Sequence, residues 1–251
     1  MTGVNDRPYK SGIDVLPKIY CKSTGDMVKL SYKPQTEDDN MDVKKSYYKN
    51  IAETVIKNLK KRRMEGYYCE SSDEAVKLAL SLMPKGSSIG WGGSMTLSEC
   101  GLMDAIKGGD YEIIDRSEAK TKEETRAVQA RIFGADFFLT STNAITVEGE
   151  LVNVDGRANR VCHICYGPEN VIVIAGVNKI AGDVDAAIKR IKTVASPMNT
   201  VRLERKTPCA VTGSCADCLS PDCICAQTVI TRMSLIPNRI KVILVGEELG
   251  Y

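Results

Sequence analysis

From Ser87 to Gly246 the chain alternates short β-forming runs with stretches at helical spacing, and that order leaves few folds open. SSIGW (87–91), YEIID (111–115), ADFFLT (135–140), VIVIAGV (171–177) and KVILVG (241–246) read as strands. Between them lie a helix from about Thr96 to Ile106, another in KEETRAVQARIF (122–133), and a helical stripe of Val184, Ala187, Ile188, Ile191 and Val194. VIVIAGV is continuously apolar and β-branched, the composition of a strand covered on both faces. The expected architecture is α/β, a mainly parallel sheet with helices on both faces. ITVEGELVNVD (145–155) adds a hairpin turning at Glu148-Gly149-Glu150.

Upstream, Tyr48, Ile51, Ala52, Val55, Ile56 and Leu59 recur at helical spacing from about Met41. Ser71 and Ser72 stand where an N-cap belongs, before the stripe Ala75, Leu78, Ala79, Leu82, which Pro84 ends. Residues 1–40 lack sustained periodicity and read as a weakly structured extension in which Ile19, Val28 and Leu30 can make short β contacts. The expected division is therefore an extension over 1–40 and one domain over 41–251.

Charge excludes one class of partner. The net charge is +2 and no basic stripe rises above that balance, so nucleic acid is not indicated. KNLKKRR (57–63) closes an amphipathic helix, where cations suit the negative end of the dipole. The first residues, MTGVNDRPYKSGIDV, lack the apolar core of a secretory leader, and no apolar run is long enough to span a membrane. The expectation is a cytoplasmic chain in a reducing compartment.

Three loops carry the polar chemistry. Gly90, Gly92 and Gly93, then Ser94 and Thr96, lie where a strand gives way to a helix, an arrangement suited to a carboxylate or phosphate. The run is neither GxGxxG nor a Walker loop, and a capped tight turn is its plainer reading. Thr140, Ser141, Thr142 and Asn143 follow a second strand, and Asn178 and Lys179 a third. In a parallel sheet all three loops open on one edge, where ligands bind in open α/β sheets. Lys179 is then a candidate cation facing an anion. Acid–base candidates are Glu99, Glu148, Glu150 and Asp155. The one histidine, His163, sits in a CxxC (Cys162, Cys165), but without a thioredoxin-like setting those thiols read as small buried hydrophobes.

Cys209, Cys215, Cys218, Cys223 and Cys225 fall in PCAVTGSCADCLSPDCIC, a loop punctuated by Pro208, Gly213 and Pro221. Such a set serves disulfides, a redox pair or a metal, and the reducing setting favours the last two. Four thiolates at C-x5-C-x2-C-x6-C suit an iron–sulfur cubane or a tetrahedral zinc, and the compact single loop favours iron–sulfur.

GWGGSMTLSECGL, TSTNAITVEGELVNVDGRANRV, YGPENVIVIAGVNKI and TPCAVTGSCADCLSPDCIC together resemble the LUD-domain (lactate utilisation) proteins, in particular members with a C-terminal cysteine motif. The resemblance covers about 41–251, with the motifs in the family's order. It implies a fold similar to the ribose-5-phosphate isomerase and CoA transferase-like superfamily, with Gly90, Gly92, Gly93, Ser94 and Thr96 at the positions that bind phosphate or acyl groups. It implies a link to oxidation of lactate within iron–sulfur assemblies, hence a [4Fe–4S] cluster, a small hydroxy- or oxo-acid and a redox partner subunit. Taken together with the reading of the three loops, the expected site comprises Glu99 and Lys179 as catalytic groups, the five loop residues above with Ser141, Asn143 and Asn178 as substrate ligands, and Cys209, Cys215, Cys218 and Cys225 as metal ligands within a loop at 207–226. Cys223 departs from the basic residue usual there and is the substitute ligand. Cys162 and Cys165 replace small apolar residues and gain no role. The rival readings are a zinc-stabilised non-catalytic subunit and a sugar-phosphate isomerase or CoA transferase-like enzyme without redox chemistry.

Overall fold

The computed structural model describes the backbone of residues 37–251 and the side chains from residue 43 onward. Ile19, Val28 and Leu30 lie outside these described residues. The first helix, α1 (Glu37–Lys61), begins inside the stretch assigned to the extension. It places Ala52, Val55 and Leu59 against β1 (Glu65–Cys69) and its sheet.

That sheet has six strands, all parallel, in the order β1, β10 (Ile240–Val245), β7 (Asn170–Gly176), β4 (Phe137–Thr140), β2 (Ser88–Trp91), β3 (Glu112–Ile114). The two-residue period of β7 divides its apolar side chains between the faces. Val171, Val173 and Ala175 join α1 and α5 (Lys122–Phe133) in one core. Ile172 and Ile174 join α2 (Ser72–Ser81), α3 (Met95–Glu99) and α4 (Leu102–Lys107) in the other. The α/β architecture with helices on both faces is thus what the alternation implied. The single helix expected over Thr96–Ile106 is two, because Gly101 takes a left-handed φ of 82° between α3 and α4.

A second, smaller sheet was not expected. The hairpin forms as β5 (Ala144–Thr146) and β6 (Leu151–Asp155), flanked by β8 (Ile180–Ala181) and β9 (Gln227–Thr231) in the order β8, β5, β6, β9. β9 comes directly after the cysteine run, so that run interrupts a sheet rather than the approach to β10 alone. Against this sheet packs α7 (Val184–Arg190), which continues through a π-helical turn (Ile191–Ala195) into α8 (Ser196–Arg202). Two short helices complete the chain, α6 (Val161–Cys165) and α9 (Pro208–Thr212).

Candidate functional site

Parallel pairing puts the C-terminal ends of β2, β4, β7 and β10 on one edge, with Trp91 beside Leu139, Thr140 beside Val173 and Gly176 beside Val245. The three polar loops therefore meet. Lys179 is buried, and its Nζ donates to Thr96 Oγ1 at 2.7 Å and Ser141 Oγ at 3.0 Å. Thr96 and Ser141 are buried as well. A fourth loop, from the end of β10, closes over them. Asn178 holds it through Nδ2 to the Gly250 carbonyl at 3.2 Å and through Oδ1, which accepts from Leu249 N–H at 3.2 Å. Thr96 Oγ1 donates to the Leu249 carbonyl at 3.3 Å, and Glu99, itself exposed, accepts from Gly250 N–H at 2.6 Å.

Electrostatics follow from burial. Desolvation, then the Arg190 and Arg160 guanidiniums, push Lys179 down to about 7, with Glu99 opposing weakly. Much of the Lys179 population is thus uncharged at neutral pH. The permanent cation is Arg190, whose Nε donates to the Asn178 carbonyl at 2.8 Å and Nη1 to the Asn143 carbonyl at 2.7 Å. Arg190, Asn178, Glu248 and Gly250, with Ile180 and Met198, line a cavity of about 590 Å³. Nothing in the local sequence distinguishes Arg190 from an ordinary surface cation in AAIKRIKTV, since only the fold brings it to this edge.

The other expected ligands divide. Ser94 is the N-cap of α3 and accepts from Leu97 N–H at 3.4 Å. The glycines adjoin side chains rather than open space. A Cβ at Gly90 would meet Ile132 at 2.8 Å, one at Gly92 would meet Arg160 Cγ at 2.8 Å, and one at Gly93 would meet Arg116 Nη2 at 2.6 Å. Gly90 therefore serves helix–sheet packing. Asn143 Oδ1 accepts from Val154 N–H at 2.9 Å and Arg160 Nη2 at 2.7 Å, so its amide braces the loop. Arg160 is the centre of that brace, donating also to Asn153 Oδ1 at 2.6 Å, the Ser141 carbonyl at 2.9 Å and Asp155 at 2.8 Å.

Of the acid–base candidates, Asp155 is engaged with Arg160 and also accepts from Val161 N–H at 2.9 Å. Glu150 pairs with Arg62 at 3.2 Å, and Glu148 is exposed at the hairpin turn. His163 lies between Phe133 and Phe138, its Nε2 at 2.6 Å from Gln129 Oε1. Burial, reinforced by Arg239, pushes it down to about 4, so it is a neutral packing group. Cys162 is half-buried and Cys165 exposed, not the buried hydrophobes expected, because both lie on a short helix at the surface; partial desolvation still raises both thiols.

The described cysteines are all free thiols. Cys215, Cys218 and Cys225 line one cavity of about 310 Å³ with Lys192, Ser196 and Asp217. Burial and then the neighbouring thiols Cys223, Cys215, Cys218 and Cys209 push Cys225 up to about 11, which places those four sulfurs in electrostatic range of Cys225. Cys209 Sγ lies 3.5 Å from Thr200 Oγ1 and 3.3 Å from Thr207 Oγ1. Burial raises that thiol, but these hydroxyls and the local backbone N–H groups outweigh it and hold it below the ordinary range. The donor set suits an iron–sulfur group or zinc in number and chemistry. Among the described residues, no three His, Cys, Asp or Glu side chains stand close enough together to hold a metal ion.

The two cavities flank one helix. Ala186, Arg190, Val194 and Met198 line the first, and Ile188, Ile191, Lys192 and Ser196 the second. The wider π turn keeps Arg190, Val194 and Met198 in register along one side.

The LUD domain family profile matches residues 52–245. No curated protein matches the chain. Among solved structures, a DUF162 family protein from Deinococcus radiodurans is similar at 15% identity and a TM-score of 0.44, over 80% of this chain and 98% of its own.

Proposed function

The chain belongs to the LUD domain family, and from that premise we propose a lactate-utilisation-type protein that binds a small hydroxy- or oxo-acid at the Arg190 cavity. It carries a [4Fe–4S] cluster on Cys209, Cys215, Cys218 and Cys225, with Cys223 the substitute for Cys225. The observation that carries this reading is the pair of cavities on either side of the α7–α8 helix, one with a half-buried arginine and one with three free thiols. Arg190 and Asn178 bind the carboxylate and orient it. Lys179 Nζ accepts the proton of a substrate hydroxyl, and Thr96 and Ser141 hold that nitrogen in place. Glu99 holds the loop at Gly250, which lifts for the acid to reach the Lys179 amine and shuts water out when it returns. When bound, the cluster supplies one-electron transfer to a partner subunit. Because a helix about 10 Å across separates the cavities, the role is electron passage rather than direct coordination of substrate.

Anaerobic purification tests the metal. About four irons per chain, with broad visible absorption that dithionite bleaches, supports the cluster. One zinc on a colourless protein replaces it with the zinc-stabilised subunit. Catalysis that survives Cys218→Ser unchanged indicates the isomerase or CoA transferase-like alternative. Calorimetry with L-lactate tests the anion site. Arg190→Gln weakens binding by about tenfold or more, the usual effect of losing a charged hydrogen bond.

A further inference from the structure

We propose that Lys179 is a nucleophilic amine whose Nζ forms an imine with the carbonyl carbon of a 2-oxo acid while Arg190 holds that acid's carboxylate. This rests on reading the Arg190 cavity as an anion site, and it adds a covalent step which that reading does not contain.

A fully buried lysine is ordinarily paired with a carboxylate. Lys179 is 3% exposed, and among the described residues it forms no ion pair within 4 Å. Its two partners are hydroxyls, Thr96 Oγ1 and Ser141 Oγ, which accept hydrogen bonds from an amine as readily as from an ammonium. Three positions around the nitrogen can hydrogen-bond and two are taken, so one is left for a lone pair. The charges acting on it are the Arg190 and Arg160 guanidiniums, which disfavour a third cation and draw in an anion, against the lesser opposing carboxylate of Glu99; Glu248 lines the cavity as well. Depressed basicity in a desolvated, electropositive pocket is what turns a lysine into a nucleophile at neutral pH.

The cavity lies next to the amine. Gly250 lines it, and a Cβ at Gly250 would stand 3.3 Å from Lys179 Nζ. Gly250 adopts φ +58°, and that Cβ would also stand 2.6 Å from Thr96 Oγ1, so the segment passes between amine and cavity with no room for a side chain. Four hydrogen bonds to Asn178, Thr96 and Glu99 hold this segment. Lifting it brings the two together.

The step balances without a redox partner. The Nζ lone pair attacks the carbonyl carbon, and the carbonyl oxygen leaves as water with both amine hydrogens as the C=N bond forms. Thr96 and Ser141 stand within hydrogen-bond reach to pass those protons. The imine withdraws electrons from the adjacent carbons, so the reaction class is cleavage of a C–H or C–C bond beside the former carbonyl.

Pyruvate with sodium cyanoborohydride tests the step on the full chain, read by intact mass and peptide mapping. The expected result is one reductively captured pyruvate per chain on Lys179, with labelling that rises through a midpoint near 7. Lys179→Arg abolishes the adduct, Lys77→Arg on the exposed face of α2 leaves it unchanged, and acetone, which lacks the carboxylate, labels at least about tenfold less. Wild-type mapping and its pH profile decide the matter even where Lys179→Arg fails to fold. Adducts scattered over surface lysines and rising only toward their ordinary range overturn the proposal. Pyruvate binding that requires Arg190 but gives no adduct overturns the imine and leaves the anion site standing; absence of both removes the anion site too.

Discussion

Lys179 stands at about 7 against 10.5 for an ordinary lysine, and that difference writes itself into folding. Between those values the unfolded chain binds the proton and the folded chain does not, so this residue makes stability rise with pH across that window. Below 7 the burial penalty is fully present. Lys179→Met is therefore expected to gain on the wild type at pH 6 and to lose that gain as pH approaches 10, measured by urea denaturation at each pH. Arg160 instead makes five side-chain hydrogen bonds. Arg160→Ala strands the buried Asp155 carboxylate and is expected to cost about 3–5 kcal/mol in the same assay. The sequence marked Lys179, Thr96, Ser141 and Asn178 because each follows a strand at its C-terminal end. It was silent on Arg160, in the turn before α6, and on Arg190 in α7, because a cation reads the same whether solvent or a buried carbonyl receives it.

Elements obey local rules except where a neighbour intervenes. The capping box at Thr121 and Glu124 starts α5 where KEETRAVQARIF predicted it. Thr121→Ala is expected to cost about 1 kcal/mol, seen as a lower midpoint in thermal unfolding. The hairpin also turns where expected, at Gly149, but for more than local reasons. Gly149 has φ +85°, and a Cβ there would stand 3.0 Å from the Leu59 backbone nitrogen of α1. Gly149→Ala is expected to lose at least about 1–2 kcal/mol, more than the left-handed backbone alone exacts, and a shortened α1 should partly relieve it. Several elements escaped the pattern, β8 and β9 of the second sheet among them. Gly101 divides α3 from α4, and β1 pairs with β10 although EGYYC has no clean alternation. A parallel partner supplied at Lys241–Val245 outweighs weak propensity there.

At the scale of the molecule, one lobe is built on the six-stranded sheet and the other on the four-stranded sheet with its cysteine run. Cys215 N–H bonds the Lys192 carbonyl at 3.2 Å, and the backbone near Cys223 and Ile224 packs on Gly156, so the run is tied to the second lobe. Chelating metal from the loaded protein is expected to speed amide exchange over 207–231 while β7 and β10 stay protected, since their cores share no side chain with the run. Exchange that quickens equally in both lobes would contradict this. No helix among the described residues is long and apolar enough to cross a membrane.

Hydrophobic periodicity is a local property, and it was enough to set the α/β class, five of the six strands of the larger sheet, their parallel sense and the shared edge on which the polar loops open. The second sheet, the facing of two cavities across one helix, and the burial that, with Arg190 and Arg160, lowers the basicity of Lys179 depend on residues far apart in the chain. Those features exist only once long-range packing has removed water from between them, and no stretch of sequence by itself records where that happens.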